Sequence, residues 1–519
     1  MFKTVLSIHL VTLRPRGLMI LITLCAAVLG AGNLQAQEAQ LPNEGNTSAW
    51  VAEIQDYAAS SLGNTQSLSV AAIPLNGPGN AQYVNADRPM SPGSIMKLVT
   101  TYAALELLGA SFRWHTDFLT DGTLEGETLR GNLYVRFSGD PKLTLERLWT
   151  ALGELRGMGI NRITGSLVLD GGNFLVTDSA PPFDDMGGNP FAPFLVTPSG
   201  YLTNLNLLHF QVSSDERGTR AWSTPALPEI QIVNRVESAA SGTCPKSSQM
   251  DWQPSVVAGH EVTVRISGTL PRGCRVGTYL SLLPQARYSA SLIRRVLARH
   301  GVTIDGADRV ATSPDPARLL ARTTSPDLAS MVRDINKWSN NVMARQMLLT
   351  IGAELGGEQA LDDRVAGVDV ILDWLQTKGI DSAGLRMENG SGLTRNGFIT
   401  ARQMVQLLQH AWASPSAPDL LASLPVTAMD GTMAQRLRNT GLEGLGRIKT
   451  GSLEHVRSIA GFSRDDTGTT WAVVAMVNNN PAWNGQGVLD RILYSLHHRP
   501  PEATSPSRAA SAGLTSAAE

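Results

Sequence analysis

The chain of 519 residues is too long for one hydrophobic core, and roughly two to four domains are expected. Its composition, 42% hydrophobic and 17% charged, excludes a fibrous or mainly disordered protein. The formal net charge of −2 provides no overall field that attracts nucleic acid, so no nucleic-acid partner is predicted.

The first 36 residues have the pattern of a secretory signal. Basic residues precede an apolar run at 17–30, and small and polar residues then lead to a cleavage position near Ala36. The run is shorter than the roughly 20 residues that a membrane-spanning helix needs. We therefore predict a cleaved signal over 1–36 and an exported protein. The alternative is an uncleaved anchor, which would associate the protein weakly with the membrane.

The residues after the signal are predicted to begin one domain, which a second region then interrupts. A helix, two strands and a second helix are indicated at 48–60, 67–75, 81–85 and 91–109. From 111 to 285, short β-like runs alternate with Gly, Asp and Pro. This texture predicts an inserted, mainly β region of two subdomains.

Helical patterns return after the inserted region, and strands close the chain. Helices are predicted at 288–300, 327–355, 360–377, 401–414 and 487–497, and strands at 446–453, 457–464 and 469–478. Residues 37–110 and 286–498 are therefore predicted to form a single α/β/α unit that the 111–285 region interrupts. Residues 499–519, rich in Pro, Ser and Ala, are predicted to be a disordered tail.

Two cysteines remain once the signal is removed, Cys244 and Cys274. An even pair in an exported protein predicts a disulfide, and the alternative is two free thiols. No histidines cluster near them, so a zinc site is not predicted.

Ser94 and Lys97 lie near the start of the helix predicted for 91–109. Positions i and i+3 share a helix face, which puts the Ser94 hydroxyl beside the Lys97 amine. A serine is a poor nucleophile until a base takes its proton, and a lysine is such a base when burial or a nearby cation lowers its pKa. The alternative is an exposed Ser and Lys on a helix surface.

Two further polar clusters follow along the chain. Ser339-Asn340-Asn341 interrupts an amphipathic helical pattern, where Ser339 suits a proton relay and Asn341 suits a contact to a substrate backbone; the alternative is a helix N-cap. The run KTGS at 449–452 lies on a predicted strand, where the lysine charge suits a carboxylate and Gly451 allows a peptide to approach closely. Here the alternative is a surface strand that ends in a turn.

The patterns S-x-x-K, S-x-N and K-T-G occur in the order found in penicillin-binding proteins and serine β-lactamases, and the sequence resembles that superfamily. Two features indicate which family within that superfamily the chain resembles. They are the spacing of 245 residues between Ser94 and Ser339 (339 − 94) and the β-rich insertion. The chain is similar to class C low-molecular-mass penicillin-binding proteins, the D-alanyl-D-alanine carboxypeptidase/endopeptidase family. Segments at 133–144, 387–397 and 428–437 also resemble that family, and the likeness covers nearly all of 45–498.

The resemblance implies a fold and a reaction. The implied fold is the penicillin-binding/β-lactamase-like α/β/α transpeptidase fold, and the implied enzyme is a serine-type D-Ala-D-Ala peptidase that cleaves peptidoglycan stem peptides or cross-links through an acyl-enzyme. Ser94 is implied as nucleophile, Lys97 as its base, and Ser339 as a relay that bridges Lys97 and Lys449. The implied substrate-binding positions are Asn341, Lys449, Thr450, Gly451 and Ser452, and the backbone N–H groups of Ser94 and Ser452 are expected to form an oxyanion hole.

The same resemblance implies the partners and the compartment. Peptides that end in D-Ala-D-Ala are the expected substrates, β-lactams are the expected covalent inhibitors, and neither a cofactor nor a metal is required. Together with the signal, the family predicts a Gram-negative periplasm. Asp140, Asn389 and Asp430 lie in the similar segments and suit caps or turns as well as substrate contacts.

Three other functions compete with this interpretation. A serine β-lactamase or esterase shares the acylation step but would release penicillin rapidly. A non-catalytic wall-binding protein would not need every motif residue, and all are intact here. A purely structural exported protein leaves the three ordered motifs to coincidence. A Ser-His-Asp triad is disfavoured, because no histidine lies within any motif.

Overall fold

The computed structural model describes residues 48–177, 188–256, 261–480 and 482–499. The predicted signal lies outside the described residues, as does the predicted tail apart from Arg499. Within the described ranges, no helix is both long enough and apolar enough to cross a membrane.

Helices and strands alternate along the described chain. The helices are α1 (Ala49–Leu62), α2 (Lys97–Leu108), α3 (Leu145–Gly157), α4 (Gln285–Arg299), α5 (Leu328–Trp338), α6 (Asn341–Leu355), α7 (Asp363–Thr377), α8 (Ala401–Ala413), α9 (Ala417–Ser423) and α10 (Gly485–His497). The strands are β1 (Leu68–Pro74), β2 (Gln82–Val84), β3 (His115–Thr120), β4 (Thr123–Glu125), β5 (Thr128–Arg130), β6 (Leu133–Phe137), β7 (Arg162–Ile163), β8 (Leu167–Asp170), β9 (Leu208–Asp215), β10 (Gly218–Thr224), β11 (Ile230–Ala239), β12 (Asp251–Val256), β13 (Val262–Pro271), β14 (Arg275–Leu280), β15 (Thr303–Ile304), β16 (Arg309–Val310), β17 (Arg318–Thr324), β18 (Gly446–Leu453), β19 (Val456–Arg464) and β20 (Thr470–Asn478).

The central sheet joins the two ends of the chain. Its five strands are antiparallel in the order β18-β19-β20-β1-β2, so the last strands of the chain pair with the first. Strand β18 forms one edge of this sheet; its outer side pairs with Val426 at Arg447, and among the described residues nothing pairs with that side from Lys449 onward.

Helices cover both faces of the central sheet, because side chains alternate between the faces of a strand. On β20 the residues Val473, Ala475 and Val477 pack in a core with α1 and α10, whereas Ala472, Val474 and Met476 face a second core with α2, α5, α6 and α8. Burial of each large aliphatic side chain stabilises the fold by about 1.5–3 kcal/mol. The two covered faces confirm the predicted α/β/α fold.

A separate hydrophobic core holds the inserted region together. The chain enters through β3 and returns through β17, and these two strands pair antiparallel. Helix α4 packs in this second core through Leu292, Ile293 and Val296, so it belongs with the insertion rather than with the central sheet. The predicted end of the insertion at residue 285 stays a prediction, and the strand pairing favours an end near 324.

The inserted region contains two small three-stranded sheets. One has the order β10-β9-β14 and the other the order β11-β13-β12. A disulfide joins Cys244 to Cys274, the residue before β14, with an S–S distance of 2.01 Å.

Candidate active site

Ser94 and Lys97 stand at the entrance of helix α2. A 3-10 turn over Gly93–Met96 carries Ser94, and α2 begins at Lys97. Side chains three residues apart eclipse one another in a 3-10 turn, which brings Lys97 Nζ to 2.8 Å from Ser94 Oγ. Gly93 has φ +53°, a left-handed conformation that only glycine adopts without strain. This backbone conformation starts the turn that presents Ser94.

The Lys97 amine is fully buried at the centre of the site. Besides the Ser94 hydroxyl, it lies 2.6 Å from Asn341 Oδ1 and 2.6 Å from the Ser391 carbonyl oxygen. Burial lowers the pKa of Lys97 well below its ordinary value, and the positive charges of Lys449 and Arg345 lower it further. These surroundings favour the neutral form of the amine.

The Ser339-Asn340-Asn341 cluster joins helices α5 and α6. Ser339 ends α5 in a left-handed conformation, with φ +56°. Asn340 caps α6, since its side chain accepts the N–H of Met343 at 3.0 Å. Asn341 then begins α6 with its side chain against Lys97. The single helix predicted over 327–355 is thus two helices. The alternative interpretation as a helix N-cap is correct for Asn340, whereas its neighbours Ser339 and Asn341 face the site.

Lys449 comes to the same site from the edge strand β18. Its Nζ is fully buried and donates to Ser339 Oγ at 2.8 Å and to the Thr450 carbonyl at 2.8 Å. Burial lowers the pKa of Lys449 to about 7. The Thr450 hydroxyl donates to Thr432 Oγ1 at 2.8 Å.

Gly451 lies against the turn that carries Ser94. A Cβ atom at this position would lie 2.7 Å from the Pro92 carbonyl oxygen and 2.9 Å from the Ser94 nitrogen. A side chain would therefore push the strand and the turn apart. The backbone nitrogen of Ser452 also lies near this turn, since a Cβ on Gly93 would be 3.3 Å from it. The backbones of Ser94 and Ser452 are therefore close neighbours.

Several contributors to the site were not predicted from the sequence. The Ser391 carbonyl contacts Lys97, and Asn389 shapes that loop by accepting the Ser391 N–H at 3.0 Å and donating to the Leu393 carbonyl at 2.8 Å. Thr432 contacts Thr450. A backbone carbonyl leaves no mark in residue type, although the family-like segment 387–397 includes this loop.

Arg345 is a second unpredicted contributor. The residue is 8% exposed, its guanidinium donates to the backbone carbonyls of Asn341 and Phe194, and none of the salt bridges among the described residues includes it. Burial lowers its pKa to about 10. It therefore adds an unneutralised positive charge near Lys97 and ties α6 to the inserted region.

Asp140 and Asp430 make structural contacts. Asp140 accepts from Arg147 at 2.5 Å and from the Lys142 N–H at 2.8 Å. Asp430 pairs with the buried Lys337 at 2.6 Å and accepts the Val426 N–H at 2.7 Å, which fixes the loop that carries Thr432.

Comparison with known proteins agrees with this geometry. The sequence profile of the D-Ala-D-Ala carboxypeptidase 3 (S13) family matches residues 54–493. A D-alanyl-D-alanine carboxypeptidase of an Actinomadura species is 29% identical over 389 residues, which is 72% of this chain and 70% of that protein. A D-alanyl-D-alanine carboxypeptidase of Haemophilus influenzae is 27% identical over 399 residues, 76% of this chain and 81% of the relative.

The fold also has a solved counterpart. The crystal structure of penicillin-binding protein 4 from Haemophilus influenzae superposes with a TM-score of 0.68 at 23% identity, covering 85% of this chain and 98% of that one. The profile match spans most of the described chain and includes all three motifs. The chain therefore belongs to the D-Ala-D-Ala carboxypeptidase 3 (S13) family and is a serine hydrolase of the penicillin-binding class.

Proposed function

We propose that Ser94 attacks the carbonyl carbon between two D-alanine residues of a peptidoglycan stem peptide or cross-link. The observation that carries this proposal is the 2.8 Å approach of Ser94 Oγ to a buried lysine whose pKa is lowered. The bond from Oγ to the carbonyl carbon forms as the peptide C–N bond breaks, which gives an acyl-enzyme. Water then hydrolyses the ester and restores the serine.

Neutral Lys97 takes the Ser94 proton in the first step. A neutral amine has two N–H groups and one lone pair, and Lys97 has two carbonyl-type oxygens and one hydroxyl around it. The two N–H groups donate to Asn341 Oδ1 and the Ser391 carbonyl, so the lone pair is left for the Ser94 O–H. This arrangement fixes the direction of the proton transfer.

The leaving amine must receive a proton, and in this proposal Ser339 delivers it. Its Oγ accepts from Lys449 at 2.8 Å, so its own O–H is free to point toward the substrate. The hydrogen bonds among the described residues link Ser339 to Lys449 and not to Lys97. We propose that the bound substrate completes the relay between the two lysines.

Substrate recognition combines a charge with an open strand edge. Lys449 and Thr450 attract the terminal carboxylate, and a bound carboxylate favours the protonated form of Lys449. The N–H groups of Ser94 and Ser452 stabilise the oxyanion, a contribution of about 3 kcal/mol for each donor. Asn341 contacts the peptide backbone, and Gly451 leaves room for it. β-Lactams, which present a reactive amide beside a carboxylate, acylate the same serine.

The proposed location follows from the proposed substrate. Peptidoglycan lies outside the cytoplasmic membrane, and the signal pattern over 1–36 supports export to the periplasm.

The test is intact-protein mass spectrometry of the purified protein with benzylpenicillin, beside Ser94→Ala. We expect one lasting penicillin adduct on the wild type and none on the variant, together with release of D-alanine from a peptide ending in D-Ala-D-Ala. Rapid penicillin turnover without a lasting adduct would instead indicate a β-lactamase. If the folded protein forms no adduct and shows no turnover, the proposal of an acylating enzyme is refuted.

A further inference from the structure

The outward face of the sheet β10-β9-β14 carries an unusual set of side chains for a solvent-exposed surface. Along β9, alternate residues Leu208, Phe210 and Val212 are buried, so His209, Gln211 and Ser213 point outward. The strand register extends this outward face across all three strands.

Three cross-strand rows make up the face. The register aligns Thr224, His209 and Tyr279 in the first row, Trp222, Gln211 and Gly277 in the second, and Arg220, Ser213 and Arg275 in the third. We call these nine residues the aromatic-arginine face. It places a histidine and two large aromatic rings beside two guanidinium groups.

The rings of this face are held in fixed orientations. His209 and Tyr279 stack with centroids 4.2 Å apart and planes 11° apart, and Tyr279 is 50% exposed. The Arg275 guanidinium lies 5.4 Å from the centre of the Trp222 ring. Exposed aromatic rings that neighbouring groups orient are typical of binding surfaces, because they offer apolar area with little loss of side-chain freedom.

The two arginines of the face have no acidic partner. Both are exposed, and neither takes part in a salt bridge anywhere in the described part of the chain. The face therefore presents two guanidinium groups that can bind carboxylates in a bidentate manner.

We propose that the aromatic-arginine face binds the peptidoglycan strand itself, with Trp222 and Tyr279 stacking on sugar rings and Arg220 and Arg275 contacting stem-peptide carboxylates. This inference rests on the proposed function, which makes the wall polymer the substrate. A polymer of uncharged amino sugars with regularly spaced carboxylates is complementary to both components of the face. The inserted region then holds the enzyme on its insoluble substrate while the site around Ser94 acts on individual peptides.

The test is co-sedimentation of the full chain with purified sacculi freed of attached proteins. The Ser94→Ala background and an excess of a soluble D-Ala-D-Ala peptide keep the catalytic site from contributing. We expect Trp222→Ala with Tyr279→Ala to weaken binding by about tenfold or more, because aromatic residues dominate such surfaces. Arg220→Gln with Arg275→Gln should weaken binding and reduce its dependence on salt.

Matched controls come from helix α3 of the same inserted region. Trp149, which is 45% exposed, and Arg156, which is exposed, provide Trp149→Ala and Arg156→Gln, and both should bind as the starting protein does. Sacculi whose free stem-peptide carboxylates have been amidated separate the two contributions. On amidated sacculi the effect of the aromatic pair should persist, and the effect of the arginine pair should disappear.

Equal binding by the face variants and the controls would overturn the proposal. So would sedimentation that appears only after an extract of envelope proteins is added, which would assign the face to a protein partner. Hydrolysis of a small soluble peptide by the face variants, with Ser94 restored, is measured separately. Absence of that hydrolysis by the wild-type protein would contradict the proposed function. The sedimentation result tests only the aromatic-arginine face.

Discussion

Two buried lysines serve the site, and their surroundings give them different tasks. Lys449 and Arg345 lie near Lys97. Its amine contacts the Asn341 and Ser391 oxygens, which accept its N–H groups, and the Ser94 hydroxyl, which donates to its lone pair. Lys449 is held by the Ser339 hydroxyl and the Thr450 carbonyl on the edge strand β18. In the proposed mechanism the same residue type therefore provides the base in one place and the anion-binding charge in the other.

Lys97→Met should nearly abolish acylation while it preserves the fold. Loss of the base is expected to slow acylation by β-lactam by about 10²–10⁴-fold. Methionine fills a similar volume without a polar group to desolvate, so the melting temperature should not fall. Stopped-flow acylation and calorimetry measure the two effects, with Lys246→Met on an exposed lysine as control. Unchanged acylation would mean that another group takes the Ser94 proton.

The two lysine pKa values predict a bell-shaped pH profile of kcat/KM. The base must be neutral, so activity is lost as pH falls through the lowered pKa of Lys97. The carboxylate-binding lysine must be charged, so activity on a carboxylate substrate is lost as pH rises through about 7 in the free enzyme. A matched substrate with its carboxylate amidated should lack the alkaline limb. The same alkaline limb for both substrates would rule out this role for Lys449.

At the scale of elements, the site depends on how closely β18 approaches the turn before α2. Gly451→Ala places a methyl group within 3 Å of the backbone of this turn, which must shift the Ser94 N–H or the strand. We expect acylation to fall by about 10²-fold or more, since loss of one oxyanion donor has that effect. Gly157→Ala is the control, because a Cβ there meets nothing within 4 Å. Normal acylation by the Gly451 variant would show that the oxyanion is held elsewhere.

The junction between α5 and α6 links helix stability to site geometry. Asn340→Ala removes an N-cap, which should destabilise the protein by about 1 kcal/mol and disturb the adjacent Asn341 and Ser339. Asn340→Asp keeps an N-cap acceptor and should restore both stability and activity. Urea unfolding and peptide hydrolysis measure the pair. A stability loss without any change in kcat/KM would show that the cap does not position the site.

The motif side chains that meet at the site were predictable from the sequence, whereas Arg345, Thr432 and the Ser391 carbonyl were not. Ser94, Lys97, Ser339 and Lys449 stand out because their types and spacing carry the chemistry. The Ser391 carbonyl and Thr432 enter through loops whose path depends on Asn389 and on the Lys337–Asp430 pair, contacts that span long stretches of sequence. The sequence prediction likewise placed α4 outside the insertion. Local patterns do not reveal that β17 pairs with β3, because these strands lie about 200 positions apart in the chain.

At the scale of the whole molecule, the separate hydrophobic cores predict that the central-sheet unit and the inserted region unfold in two separate thermal transitions. The cores around the central sheet and the core of the inserted region have different members. Replacing Cys244 and Cys274 by serine opens a loop closed across 30 residues within the inserted region and should destabilise that region by about 3 kcal/mol. Calorimetry should show a lowered transition for the inserted region and a preserved one for the central sheet. Equal shifts of all transitions would mean that the molecule unfolds as one unit.

The pairing of β1 with β20 has a consequence for when the protein becomes active. Leu68 on β1 lies opposite Val477 on β20. The first strand of the central sheet therefore cannot complete its pairing until β20 has been made. A chain that emerges from synthesis or export with its N-terminus first exposes Ser94 long before Lys449 and β20 arrive. Until then the serine has neither its oxyanion partner Ser452 nor the charge of Lys449. Under the proposed export, this topology delays the proposed hydrolysis until β18 and β20 have crossed the membrane.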